Sequence, residues 1–244
     1  MARTSATTRA EAQSHRRRRP SLAHGAVCLL TGLLLCALAW PRLMAALEAA
    51  PADHVLWQIN ENGKAGKADL DGASRALAAA LRRHESAGHW GARGHLLLLQ
   101  GTQQGFGETP PAIAPALLVS SHRRSLAFDP ADPYVWLRLA QSHIVQAGAN
   151  AAAASAVSRA LRLAPADRAV RYRRLDLGFL LWPHLDEADR AVLRDDIRAM
   201  AWHDVKWLIA VTLRRHALAV TRAALAETPD RLQEFDRFYR EELY

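Results

Sequence analysis

The sequence predicts an all-α protein in which one N-terminal membrane-spanning helix leads into an α-solenoid of stacked helical hairpins. Three observations carry that expectation. Ser21 to Trp40 contains no Asp, Glu, Lys or Arg, and Arg16, Arg17, Arg18 and Arg19 stand just before it. Ala, Leu and Arg dominate the rest while Val and Ile are sparse, a usage that favours helix over strand. Finally, two Pro-Ala-Asp triplets, at Pro130 and Pro165, punctuate apolar helical patterns at an interval of 35 residues, the kind of period that marks stacked hairpins.

Taken in order, residues 1–20 hold six arginines and one acid, a net +5 of the total +8, so the other 224 residues carry +3. That tail is polar and lacks apolar periodicity, and the expectation is a disordered cytoplasmic segment. Residues 21–40 follow as the spanning helix. Twenty residues at about 1.5 Å each cover roughly 30 Å, the hydrocarbon thickness of a bilayer. Arginines flank the cytoplasmic side, so the chain after Trp40 is expected to be periplasmic. Because the basic excess sits in a topogenic tail rather than on a folded face, nucleic acid is not an expected partner. Cys28 and Cys36 are the only cysteines and both fall inside the apolar segment, so the remainder forms no disulfide and no thiolate metal site. Pro51 after Ala49-Ala50, together with Leu47-Glu48, disfavours a signal-peptidase cut, and the segment reads as a retained anchor.

Residues 41–66 read as a juxtamembrane linker, with helix to Pro51 and then a turn-rich stretch around Asn60 to Lys64. Residues 67–244 read as the helical domain. Leu70, Ala73, Leu77, Ala80 and Leu81 keep three-and-four spacing. Gly88, Gly91 and Gly94 interrupt before Leu96 to Leu99, and Gly101 to Pro111 reads as a loop. The clearest hairpin occupies 131–165. Trp136, Leu139, Ala140, His143, Ile144 and Ala147 trace one helix face, Gly148 and Asn150 make the turn, and Ala153, Val157, Ala160 and Leu161 trace the facing side. Later, Asp186 to Met200 is amphipathic, and Thr228-Pro229 reads as a capped helix start.

Trp136-x2-Leu139-Ala140-x2-His143, then Ala153, Val157, Ala160 and Pro165, resembles the tetratricopeptide repeat. His143 stands where that family has an aromatic residue, and the turn holds one residue more, so the resemblance is to a divergent unit. It implies antiparallel hairpins and a protein-binding surface. The anchor, the repeat core and Met200-Ala201-Trp202-His203-Asp204-Val205 together resemble bacterial accessory proteins of exopolysaccharide clusters, of the VpsP type. That resemblance implies a noncatalytic role beside polymer synthesis or export machinery.

His84, His89 and His95 lack the spacing of a helical zinc site, so no metal is expected. Gly101 to Gly107 lacks a Walker lysine and a preceding strand, so no nucleotide cofactor is expected. Asp195-Asp196 and His203-Asp204 are adjacent pairs whose side chains diverge by about 100° on a helix, and no catalytic residue is assigned. An enzyme or a glycan-binding protein acting on envelope polysaccharide is the alternative, with His203, Asp204 and Asp195 or exposed tryptophans as its means. The expected partner surface comprises Trp136, Arg138, Arg159, Arg162, Arg171, Arg173 and Arg174. These residues would suit an acidic protein segment or an anionic polysaccharide.

Overall fold

The computed structural model describes residues 5–63, 65–104 and 115–243. Among them the regular structure is entirely helical: α1 (Ser5–Asn62), α2 (Lys67–Arg83), α3 (Ala87–Gln104), α4 (Pro115–Phe128), α5 (Pro133–Ala147), α6 (Ala151–Leu163), α7 (Arg168–Leu181), a 3-10 turn (Trp182–His184), α8 (Glu187–His203), α9 (Val205–Arg214), α10 (Leu218–Leu225) and α11 (Pro229–Leu243). Consecutive helices pack on one another as hairpins, and the odd-numbered helices α3, α5 and α7 also meet across the stack. This is the all-α, repeat-like architecture that the composition and the proline punctuation predict.

Helix α1 departs from the expected layout. Its 58 residues span about 87 Å at the helical rise, with Pro20, Pro41 and Pro51 inside it. A proline within a helix costs about 3 kcal/mol. Packing opposes that cost here: Ala45, Ala49, Ala52 and Val55 form a buried stripe against Leu70, Ala73, Leu77 and Ala80 of α2 and against Leu96 of α3. The expected linker at 41–66 is therefore mostly helix, and the chain turns only at about Gly63, whose φ of 71° suits a residue without a side chain. The helix also begins at Ser5, inside the stretch expected to be disordered. Its apolar part reaches a mean hydropathy of 1.8 and none of that window is buried against the rest of the molecule. It is long and apolar enough to cross a membrane.

The Pro-Ala-Asp triplets have a local physical meaning. Asp132 accepts hydrogen bonds from the Tyr134 and Val135 amides, with Pro133 in the first helical turn. Asp167 accepts from Ala169 N at 2.8 Å. The triplets at Pro130 and Pro165 thus each stop one helix and cap the next, whereas a third, Pro51-Ala52-Asp53, lies within α1. Gly148, at a φ of 71°, ends α5, and Asn150 caps α6 through Ala153 N. Between these two helices Ala140, Ala153, Val157 and Ala160 are essentially inaccessible, which is what close antiparallel packing requires. Thr228, expected to cap α11, instead donates its hydroxyl to the Leu225 carbonyl at 3.2 Å.

The glycines expected to interrupt the chain at 88, 91 and 94 lie inside α3. A Cβ at Gly94 would stand 2.5 Å from the His122 ring, and one at Gly91 would stand 3.1 Å from Ser125 Oγ. These glycines let α4 approach α3. Gly178 plays the same part between α7 and Leu193 of α8, again with 2.5 Å available.

Candidate binding trough

Helices α1, α3, α5 and α7 line a cavity of about 400 Å³. Leu56, Ile59 and Asn60 close one side; His95, Tyr134, Arg138 and Arg173 supply its polar wall. A second cavity of about 460 Å³ continues between α5, α7 and α9 and shares Arg173. Together they form a trough along the odd-numbered helices.

Two cations meet at its centre. Neither Arg138 nor Arg173 forms an ion pair among the described residues; Arg173 has only Gln141 Oε1, at 3.4 Å. Burial lowers the pKa of Arg138 from its ordinary value, and the neighbouring Arg173 lowers it further, with Asp132 opposing. Burial likewise lowers that of Arg173, with Asp176 opposing. Both guanidiniums stay charged, because arginine lies so far above neutrality. The trough thus holds two partly desolvated positive charges that repel each other, and an anion between them would relieve both penalties.

The histidines beside them are neutral. Burial, then Arg138 and Arg173, brings His95 down to about 3. His122 also sits near 3, through burial and then Arg138. Its Nδ1 lies 3.0 Å from Ser142 Oγ, while Nε2 has no hydrogen-bond partner among the described residues and faces the space that Gly94 leaves. In the second cavity Asp176 is held by Arg214 and Arg215, at 2.9 and 2.7 Å. Burial alone would raise its carboxyl, but the two arginines outweigh that and hold it below the usual range. Tyr172 and Trp207 form an edge-to-face pair at 4.8 Å beside it.

Only two of the seven residues expected to form the partner surface, Arg138 and Arg173, converge on this trough. Arg174 is completely buried: it donates to both oxygens of Asp196 and to the carbonyls of Ala164 and Pro165, the latter at 2.8 Å. It therefore locks α7 to α8 and to the turn before α7, and cannot meet a partner. Arg171 joins the same lock through Asp196 Oδ1 at 2.9 Å. Arg159 is exposed on α6, and Arg162 reaches Asp189 at 3.8 Å; both lie outside the trough. Trp136 is half-buried and donates from Nε1 to the Pro130 carbonyl at 2.9 Å, so it braces the α4–α5 turn.

The acidic pairs and the histidines also hold structural positions. Asp204 caps α9 through Trp207 N at 3.1 Å and accepts the Tyr172 hydroxyl at 3.2 Å. Asp195 pairs with Arg198 and Asp196 with Arg174. His89 Nδ1 lies 3.2 Å from the His84 carbonyl, whereas His95 stands in the trough. Among the described residues no three His, Cys, Asp or Glu side chains gather as metal ligands. Of the glycine-rich stretch, residues 101–104 belong to α3 and residues 105–107 lie outside the described part. No family model matches the chain, and no curated protein matches it.

Proposed function

We propose that this chain is a membrane-anchored, noncatalytic adaptor that holds an acidic, extended segment of a neighbouring envelope protein in the trough of its odd-numbered helices. The observation that carries this reading is the pair Arg138 and Arg173, two partly desolvated cations on one open channel that form no direct ion pair among the described residues. An extended acidic segment would supply the missing charges, and the trough's length along α1 to α9 suits a chain rather than a compact metabolite. Asp195, Asp196 and Asp204 are each engaged in ion pairs or caps, which favours a binding role over general acid–base chemistry.

In this reading residues 21–40 anchor the protein in the cytoplasmic membrane, the arginine-rich N-terminus stays inside, and residues 67–244 work in the periplasm. Arg16 to Arg19 support that orientation. The setting is the one that the VpsP-type resemblance implies, a machine for polymer synthesis or export. A C-terminal alkaline phosphatase fusion, active only outside the cytoplasm, tests the orientation.

The binding itself is tested with the full chain in nanodiscs and a fluorescent decaglutamate peptide. Anisotropy should show saturable binding that weakens with salt and is lost in Arg138→Glu plus Arg173→Glu, while Arg159→Glu binds as the parent does. Binding unaffected by the double substitution would refute the trough. Binding of alginate with no response to decaglutamate would replace the protein partner with an anionic polysaccharide.

A further inference from the structure

The continuity of α1 fixes where the helical domain stands relative to the bilayer. No flexible linker intervenes, because Ala45 is already packed in the core five residues after Trp40. Glu48, eight residues past Trp40, is only about 12 Å farther along the helix axis. Arg83 at the end of α2 pairs with Glu48 at 2.7 Å. Arg124 of α4 then pairs with Glu85 at 2.7 Å, and Ser125 Oγ donates to the Ala87 carbonyl at 2.7 Å. This chain of contacts holds the α2–α3 turn and the end of α4 at the level of Glu48. The turn between α5 and α6 is at the opposite end of its hairpin.

The surface so placed has a distinctive make-up. Phe128 is 49% exposed, with the Arg124 guanidinium 5.6 Å over its ring. Leu43 and Leu47 of α1 are 53% and 59% exposed. Arg82 is exposed and pairs with no carboxylate among the described residues; Glu48 and Glu85 are engaged by Arg83 and Arg124, while Asp129, next to Phe128, is exposed and accepts from Ala131 N at 3.1 Å. Exposed apolar side chains interleaved with exposed arginine are the composition that seats a protein on anionic lipid.

Resting on the reading of residues 21–40 as an anchor, we infer that this end of the domain, with Arg82, Phe128, Leu43 and Leu47, lies on the membrane surface and binds anionic headgroups. The bilayer then contacts the protein twice, through the spanning helix and through this rim. The second contact fixes the tilt of the domain and holds the trough at a set height above the lipid.

The test uses the full chain with Cys28→Ser and Cys36→Ser, reconstituted in nanodiscs containing nitroxide-labelled lipid. Single cysteines at Leu34, Phe128 and Ala149 carry an environment-sensitive fluorophore. In phosphatidylglycerol the Leu34 and Phe128 labels should be quenched, and the Ala149 label, at the far turn, should not. Quenching at position 128 should be lost in phosphatidylcholine or with Arg82→Glu, while that at position 34 persists. A Phe128 label as unquenched as that at Ala149, or one indifferent to lipid charge, overturns the rim. An unquenched Leu34 label overturns the anchor and the rim with it.

Discussion

Truncating Arg174 to alanine separates the fold from the binding surface more sharply than any other single change. The side chain is wholly buried and its guanidinium donates to both carboxylate oxygens of Asp196 and to two backbone carbonyls, of Ala164 and Pro165. Arg174→Ala leaves Asp196, itself 3% exposed, with Arg171 alone, and strips the two carbonyls of a donor. Breaking a buried pair from one side costs about 3–5 kcal/mol. For a domain of this size each kcal/mol moves the melting temperature by about 2–4 °C, so a fall of about 6–20 °C is expected. Arg173→Ala, one residue earlier, removes a cation that has no ion pair and should stay within about 0.5 kcal/mol of the parent. The assay is thermal unfolding of the full chain in nanodiscs, followed by circular dichroism at 222 nm. Decaglutamate binding is measured in parallel below the transition. The expected pattern is crossed: Arg174→Ala loses stability and retains affinity, Arg173→Ala retains stability and loses affinity. Equal melting temperatures for the two variants would refute the assignment of Arg174 as the lock between α7 and α8. Replacing both partners, Arg174→Met with Asp196→Leu, should recover much of the loss, since the uncompensated charge is then gone.

Further expectations follow from the same geometry. Gly94→Ala would place a Cβ 2.5 Å from the His122 ring and should cost about 1–3 kcal/mol, read as a lower urea midpoint; the added His122→Ala substitution should partly relieve it. Gly178→Ala should behave likewise against Leu193, also at 2.5 Å. Stability should fall on acidification, because His95 and His122 are held at about 3 when folded and return to about 6.5 when unfolded. The unfolded chain therefore binds more protons between these values, and the loss begins as pH drops below about 6.5, with a slope of up to about 1.4 kcal/mol per pH unit for each histidine. Urea titrations across pH 7 to 4 should show a shallower loss in His95→Gln. Asp132→Ala should destabilise by about 1 kcal/mol through loss of the α5 cap, against no change for Asp129→Ala beyond its own turn.

The features that the sequence made legible are those whose causes are local. The apolar span needs only its own composition, and the Pro-Ala-Asp triplets at Pro130 and Pro165 work within five residues, proline stopping one helix while aspartate caps the next. The features that escaped are those decided by a distant neighbour. A glycine inside α3 reads locally as an interruption, since it costs about 1 kcal/mol there relative to alanine. Only the arrival of His122, 28 positions on, turns Gly94 into a requirement. The arginines of α7 make the point most clearly. Arg171, Arg173 and Arg174 look equivalent in a string, yet successive residues on a helix turn by about 100°. Arg171 and Arg174 thus share one face and meet Asp196 of α8, while Arg173 points elsewhere, into the trough. Its counterpart Arg138 arrives from another helix, 35 positions earlier, the same interval that separates the two proline triplets. The repeat that announces the fold therefore also sets the spacing of the candidate site: equivalent positions on consecutive first helices of hairpins present one arginine each to a common channel. What no periodicity could announce is that neither would form an ion pair among the described residues, because the nearby acids are spent elsewhere: Asp196 of α8 on Arg171 and Arg174, and Asp176 of α7 on Arg214 and Arg215.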